Sequence, residues 1–345
     1  MSDNRKLASI QRIDALDPIP NADKIEVASI LGYKAVVKKG EFNVGDKVVY
    51  CECDSILPFM PWSEFLRDKN RPDKPIRIKT VKLRGQISQG VVFPLSILPA
   101  GEYQEGLDVT ESLGVTKYEP YIPAQLAGVM KGNFPSFIPK TDCERIQSYP
   151  RLFDELDKVM LYVSEKADGS SFTCYFKDAQ FGVCSRNLEL APDEGRNNMF
   201  WKMAYQYDLE AKLTKFGRNI AIQGEVVGEG IQKNRMGLTG NKLLVFDIYD
   251  IDAGKYLDYS QFVDVVNEVG LERVKCFTDG FVLLKNEHNM DYLINMTKGN
   301  YEGTNQQREG LVYRPVFEKE SHALHGRSIF KVINPNYLLE SEKDE

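Results

Sequence analysis

Two apolar runs, Val159-Met160-Leu161-Tyr162-Val163 and Phe172-Thr173-Cys174-Tyr175-Phe176, are separated only by Ser164-Glu165-Lys166-Ala167-Asp168-Gly169-Ser170-Ser171. Each run has the length and the β-branched or aromatic content of a buried strand. The chain must therefore leave one strand and enter the next within a few residues, with Gly169 able to supply a turn conformation that other residues resist. The same junction sets a lysine two residues before a carboxylate. A lysine in a dry pocket near other cations loses its proton more easily and becomes a nucleophile. A hairpin with charged turn residues accounts equally well for this string taken alone.

The rest of the chain decides between these. At 345 residues it has room for about two domains of ordinary size. An apolar fraction of 42% with 27% charged residues fits a globular protein with a real core. No run of about eighteen apolar residues is present, so no helix spanning a membrane is expected, and the polar N-terminus lacks the apolar stretch of a signal peptide. The six cysteines are scattered, and Cys51-Glu52-Cys53 is too close-set for a usual zinc pair. They read as reduced thiols of an intracellular protein, cytoplasmic or nuclear. A formal net charge of -6 argues against a surface uniformly basic for duplex nucleic acid, yet leaves room for a local basic groove.

From Leu7 to Pro58 short strands alternate with breaks at Pro20-Asn21-Ala22-Asp23, Gly32 and Gly45-Asp46, the spacing of a small barrel. Residues 59–79 interleave Trp62 and Phe65 with Arg67, Lys69, Arg71, Lys74, Arg77 and Lys79, a pattern suited to RNA phosphates or to a solvated loop. A shift toward Pro, Gly and Tyr places a linker at 119–132, between a module at 1–118 and a second domain at 133–345. In that second part, residues 193–215 form the best helix, ended by Gly217, and 260–269 a further one closed by Gly270. Glu225 sits inside the apolar run Ile220-Ala221-Ile222-Gln223-Gly224-Glu225-Val226-Val227, where a carboxylate is costly without a partner or a function. His322-Ala323-Leu324-His325 has metal-like spacing, but two histidines on a loop are more often bland.

Six separated strings couple a strand to groups suited to a nucleotide. Lys166 can attack; Asp168, Glu225 and Glu309 can hold a hydrated divalent cation; Arg186 and Lys331 can neutralise phosphate; Phe246 can stack on a base. Lys166-Ala167-Asp168-Gly169, Ser185-Arg186-Asn187, Glu225, Phe246-Asp247-Ile248-Tyr249, Glu309-Gly310-Leu311-Val312 and Phe330-Lys331-Val332-Ile333 resemble, in order and spacing, the elements of the covalent nucleotidyltransferase superfamily of ligases and capping enzymes. Thr141-Asp142-x-x-Arg145-Ile146-Gln147 and Gly224-Glu225-x-x-Gly228-x-Gly230-Ile231-Gln232-x-Asn234 resemble its RNA ligases. Ile19-Pro20-Asn21-Ala22-Asp23-Lys24-Ile25-Glu26-Val27-Ala28 resembles an OB-type module, and its position ahead of the catalytic part is similar to the Deinococcus and Naegleria type.

The resemblance implies an α+β protein: an N-terminal OB-like β-barrel, then a nucleotidyltransferase domain of packed antiparallel sheets with flanking helices. It implies an ATP-dependent RNA ligase joining 3′-hydroxyl and 5′-phosphate ends, acting as a monomer on nicked duplex RNA in repair. Lys166 would be the nucleophile that carries AMP, with Lys331 lowering its pKa and Arg186 assisting. Glu165, Arg145, Phe246, Glu309 and Lys331 would surround the nucleotide, and Mg²⁺ or Mn²⁺ would be held through water by Asp168, Glu225 and Glu309. The family's last element often reads Lys-x-Lys; here Ile329 stands in the first position, with Arg327 a candidate substitute. A DNA ligase, a GTP-using capping enzyme, or a non-catalytic OB-type RNA-binding protein are the alternative expectations.

Overall fold

The computed structural model describes residues 6–118, 130–193, 197–278, 280–285 and 288–341. The chain divides into two compact units. One comprises residues 1–121 with 147–150 and 338–345; the other comprises 122–146 and 151–337.

In the first unit the Lys47–Cys51 strand lies between Ala8–Arg12 and Val91–Pro94, both antiparallel to it. Its alternation puts Val48 and Tyr50 in one apolar cluster and Val49 and Cys51 in another, so one strand serves two cores. Ala15–Pro18, Ile25–Ile30 and Tyr33–Lys38 form a meander, and Thr116–Lys117, Ser55–Leu57 and Ile76–Arg77 a third small sheet. Among the described residues these ladders do not join into one closed barrel. Leu31 (φ 54°) sits in the turn that joins Ile25–Ile30 to Tyr33–Lys38, and Asp54 (φ 69°) in the turn between Lys47–Cys51 and Ser55–Leu57. In the basic segment, Arg67 lies over Phe59, Arg71 pairs with Asp68, and Arg77 pairs with Asp54, while Phe65 remains 71% exposed.

Most of the expected linker, 119–132, lies outside the described residues. Its end does not: Met130–Asn133 is a strand, antiparallel to Leu188–Leu190. This places residues 130–132 in the second unit, because an edge strand there satisfies backbone groups that a linker would leave to water.

Among the described residues two large sheets build the second unit, beside a short ladder of Glu320–Ser321 with Gly326–Arg327. The larger runs in the order Met130–Asn133, Leu188–Leu190, Gln180–Cys184, Ser170–Lys177, Ile220–Gly228, Asn241–Asp250 and Lys255–Tyr256. The smaller runs Glu144–Arg145, Phe330–Ile333, Gly310–Pro315, Met160–Glu165 and Val282–Leu283, antiparallel except for its first pair. The helices Met199–Gln206, Leu209–Phe216 and Tyr259–Val269 cover one face of the larger sheet, with Met203, Leu213 and Val266 fully buried against it. Where one helix was expected over 193–215 there are two. Asp208 takes a left-handed conformation (φ 52°) that interrupts the ladder, and the Asn198 carboxamide starts the first helix by accepting from the Phe200 amide at 2.9 Å. Gly217 and Gly270 end helices in the left-handed region, as their positions suggested.

The strand before Lys166 and the strand after it belong to different sheets. The junction is thus a crossing between layers rather than a hairpin, and this is what sets the site between them.

Candidate active site

Lys166 follows the last residue of the Met160–Glu165 strand, and its amide donates to the Gly310 carbonyl at 2.9 Å. Its Nζ meets Glu309 Oε1 at 2.7 Å. Gly169 has no left-handed backbone here; a Cβ on it would stand 2.3 Å from the Val226 carbonyl and 2.8 Å from Glu225 Cγ. Glycine is required for close approach to the neighbouring strand, not for the turn conformation the sequence suggested. Gly310 plays the same part, since a Cβ there would stand 2.2 Å from the Val332 carbonyl. These two contacts draw Lys166, Glu225 and Glu309 into one cleft.

Within the nine residues of Ile220–Gly228, Glu225 alone escapes full burial. Burial, together with Glu309 and Asp168, outweighs Lys166 and Arg186 and pushes its carboxyl up to about 8. Asp168 is 7% exposed. Its Oδ1 accepts from the Tyr337 hydroxyl at 3.0 Å, and its Oδ2 faces Arg235 Nε at 3.4 Å. That second contact is ionic only, for Asp168 Oδ2 has no hydrogen-bond partner. Burial and Glu309 also raise Asp168.

Lys331 lies opposite Val312 on one side and Arg145 on the other. Burial lowers its ammonium to about 8, and Lys166 and Arg145 act in the same direction. The relation expected from the sequence is reversed. Burial would lower Lys166 as well, but Glu309, Glu225 and Asp168 outweigh it and hold Lys166 above the ordinary lysine value. Three carboxylates facing one amine win over the cost of burying its charge.

Phe246 reaches the cleft through a β-bulge. Gln223 pairs with Asp247 and Gly224 with Val245, so Phe246 has no partner on the Ile220–Gly228 strand. The parity of the strand then changes: Leu243, Val245 and Ile248 enter the main core, while Phe246 packs against Ala167, Val227, Leu244 and Val274. A cavity of about 200 Å³ adjoins this cluster, lined by Glu165, Ala167, Met236, Leu238, Leu244 and Val274. Glu165 is 9% exposed and raised by burial, with Arg308 Nη1 at 3.3 Å. A larger open cleft of about 460 Å³ at Gly217, Arg218, Asn219 and Asp250 lies at the opposite end of these strands and holds none of the site residues.

Arg186 extends to the exposed rim, paired with Asp142, and still lowers Glu225 electrostatically. Arg327, weighed as a substitute for the missing lysine, is committed elsewhere. It bonds Asp247 Oδ1 at 2.9 Å and Glu318, and lies 3.5 Å from the Tyr256 ring centroid. His322 and His325 lie on the turn between two short strands, with the His322 amide held by Glu155.

Several residues carry the site without having been singled out in the sequence. The Tyr301 hydroxyl donates to the Lys166 carbonyl at 2.8 Å and accepts from the Glu309 amide at 3.1 Å. Arg235, Tyr337, Arg308 and Arg314 were missed as well. Of these only Arg314 had a signal, a charge between the apolar stretches Leu311-Val312-Tyr313 and Pro315-Val316-Phe317, analogous to that of Glu225.

Among the described residues no three His, Cys, Asp or Glu side chains stand close enough to ligate a metal directly. A hydrated cation does suit the donors: three oxygen-bearing side chains with surplus negative charge, and one buried carboxylate oxygen lacking any hydrogen bond.

The family model described as RNA ligase matches residues 160–333, and one described as an OB-fold domain matches residues 7–95. None of the curated proteins compared with the chain matches it. Among solved structures, an apo aspartate-to-alanine mutant of Naegleria gruberi RNA ligase is 36% identical, with a TM-score of 0.87 over 99% of each chain. A lysine-to-alanine mutant of that enzyme with ATP and Mn gives 36% identity and a TM-score of 0.87, over 99% of this chain and 100% of that one. A lysine-to-methionine mutant with AMP and Mn gives 36% and 0.86 over the same shares.

Proposed function

The chain belongs to the RNA ligase family and is an ATP-dependent RNA ligase, and from that premise we propose that it works through AMP carried on Lys166. The observation that carries this reading is the 2.7 Å approach of the Lys166 amine to Glu309, inside a cleft shared with Asp168, Glu225 and Lys331.

The deprotonated Lys166 attacks the α-phosphorus of ATP; an N–P bond forms, the P–O bond to pyrophosphate breaks, and the amine gives up its proton. Glu309 at present keeps that amine charged, so its negative charge must be offset before attack. A divalent cation, Mg²⁺ or Mn²⁺ held through water by Asp168, Glu225 and Glu309, would supply this offset and screen phosphate charge. Lys331, lowered to about 8 but still mostly protonated at pH 7, would place a buried positive group beside the phosphates. Arg145 and Arg186 hold phosphate oxygens, and Phe246 with Glu165 receives the base at the 200 Å³ cavity. The AMP then passes to an RNA 5′-phosphate, and a neighbouring 3′-hydroxyl attacks that phosphorus and expels AMP. Both steps rely on positioning more than on protein acid–base groups.

We also propose the finer points: nicked duplex RNA as the substrate, action as a monomer in the cytoplasm or nucleus, and a division of labour in which residues 1–118 contact RNA and 133–345 do the chemistry. The exposed Phe65 with Lys69 and Lys74 supports RNA contact by the first part. Six free cysteines support a reducing compartment, and no helix among the described residues is long and apolar enough to cross a membrane. Incubation with labelled ATP and Mn²⁺, followed by a denaturing gel, tests the central step. A covalent label from ATP but not GTP is expected; no label, or labelling from GTP alone, would overturn it.

A further inference from the structure

One buried cation between the two sheets has no part in the scheme above. Arg314 is 4% exposed and pairs opposite Tyr162 on the strand that leads to Lys166. Its Nη1 donates to Ser164 Oγ at 3.0 Å, two residues before the nucleophile. Its Nε faces Asp247 Oδ2 at 3.6 Å without completing a hydrogen bond. The guanidinium carbon lies 5.4 Å from the Phe246 ring centroid. Burial alone would raise Asp247, but Arg327 and Arg314 hold it below the usual carboxylate range.

A buried ion pair gains little over well-packed apolar side chains, so packing alone gives no reason for an arginine here. What apolar side chains could not do is join these three groups. The bulge frees Phe246 from its strand partner, leaving the ring dependent on neighbours for its orientation. Arg314 supplies a planar cation over that ring and ties it to Ser164 and Asp247 at the same time. We propose that Arg314 is a positioning residue for the nucleotide: it fixes the Phe246 ring relative to Lys166 and thereby sets the affinity for ATP. This rests on Phe246 receiving the base.

The test measures single-turnover labelling by ATP in the full chain at saturating Mn²⁺, separating half-saturating ATP from the limiting rate. Arg314→Met is expected to raise half-saturating ATP tenfold or more with less than a threefold change in limiting rate. Arg314→Lys, which keeps a charge for Asp247 but loses the planar group, should shift it less, by threefold to tenfold. In a Phe246→Leu background either substitution should add under twofold, because the ring it acts through is gone. If Arg314→Met does not fold, the lysine variant and its double mutant carry the same test. Unchanged half-saturation in Arg314→Lys, or effects that simply multiply in the double mutant, would overturn the inference while leaving the ligase reading intact. A wild-type protein that takes no label overturns both.

Discussion

The hydroxyl of Tyr301 donates a 2.8 Å hydrogen bond to the main-chain carbonyl of Lys166, 135 residues away. The same oxygen receives the Glu309 amide, so a single buried phenol fixes the backbone of Lys166, the proposed nucleophile, and of its ion-pair partner. Tyr301→Phe keeps the ring and removes both bonds. It should lower the limiting rate of self-adenylylation by roughly 10–100-fold while costing about 1–3 kcal/mol of stability. Single-turnover labelling beside a denaturant titration checks the pair; an unaltered rate would mean that the strands alone hold Lys166 in place.

Lys166→Met retains length and apolar bulk without a nucleophile. The variant should form no covalent AMP yet still join RNA ends already carrying 5′-adenylate, since Glu225, Glu309 and Lys331 remain. Label transfer from ATP and sealing of pre-adenylated nicks are the two measurements. Persistence of label on the variant would point to another lysine.

The raised carboxyl of Glu225 makes stability depend on pH. From about the ordinary value of 4.5 up to about 8 the folded protein keeps a proton there that the unfolded chain releases, so stability falls as pH rises through that window. Glu225→Gln should remove this part of the fall and gain roughly 1–3 kcal/mol over the wild type at pH 8 relative to pH 4.5. Mn²⁺ should narrow the gap by stabilising the ionised wild type, while the same substitution slows metal-dependent labelling by orders of magnitude. Thermal unfolding across pH, with and without Mn²⁺, measures the first effect. The lowered Lys331 acts in a separate window, from about 8 to 10.5, where stability rises with pH.

A fragment beginning at residue 130, which keeps the Met130–Asn133 strand, should label itself with AMP but seal nicked RNA poorly. One beginning at 133 should also be less stable, having lost that edge strand. Sealing by the longer fragment equal to that of the full chain would remove the N-terminal part from substrate engagement.

Local pattern was enough to mark the strands on either side of Lys166 and the helix stops at Gly217 and Gly270, whereas the order of groups from Lys166 to Lys331 was legible through the family resemblance. The strands and stops depend on neighbours two to four residues apart, which a sequence displays directly. The bulge at Phe246 was not legible, because the pairing of Gly224 with Val245 sets which residue is skipped, and that register is fixed across strands. Nor could the state of Lys166 be read. Electrostatic balance depends on distances, and the approach of Glu309 exists only once Gly169 and Gly310 have let the strands close in. Tyr301 and Arg314 complete the contrast: sequence supplies a phenol and a guanidinium, and tertiary packing alone decides that one spans Lys166 and Glu309 and the other lies over Phe246.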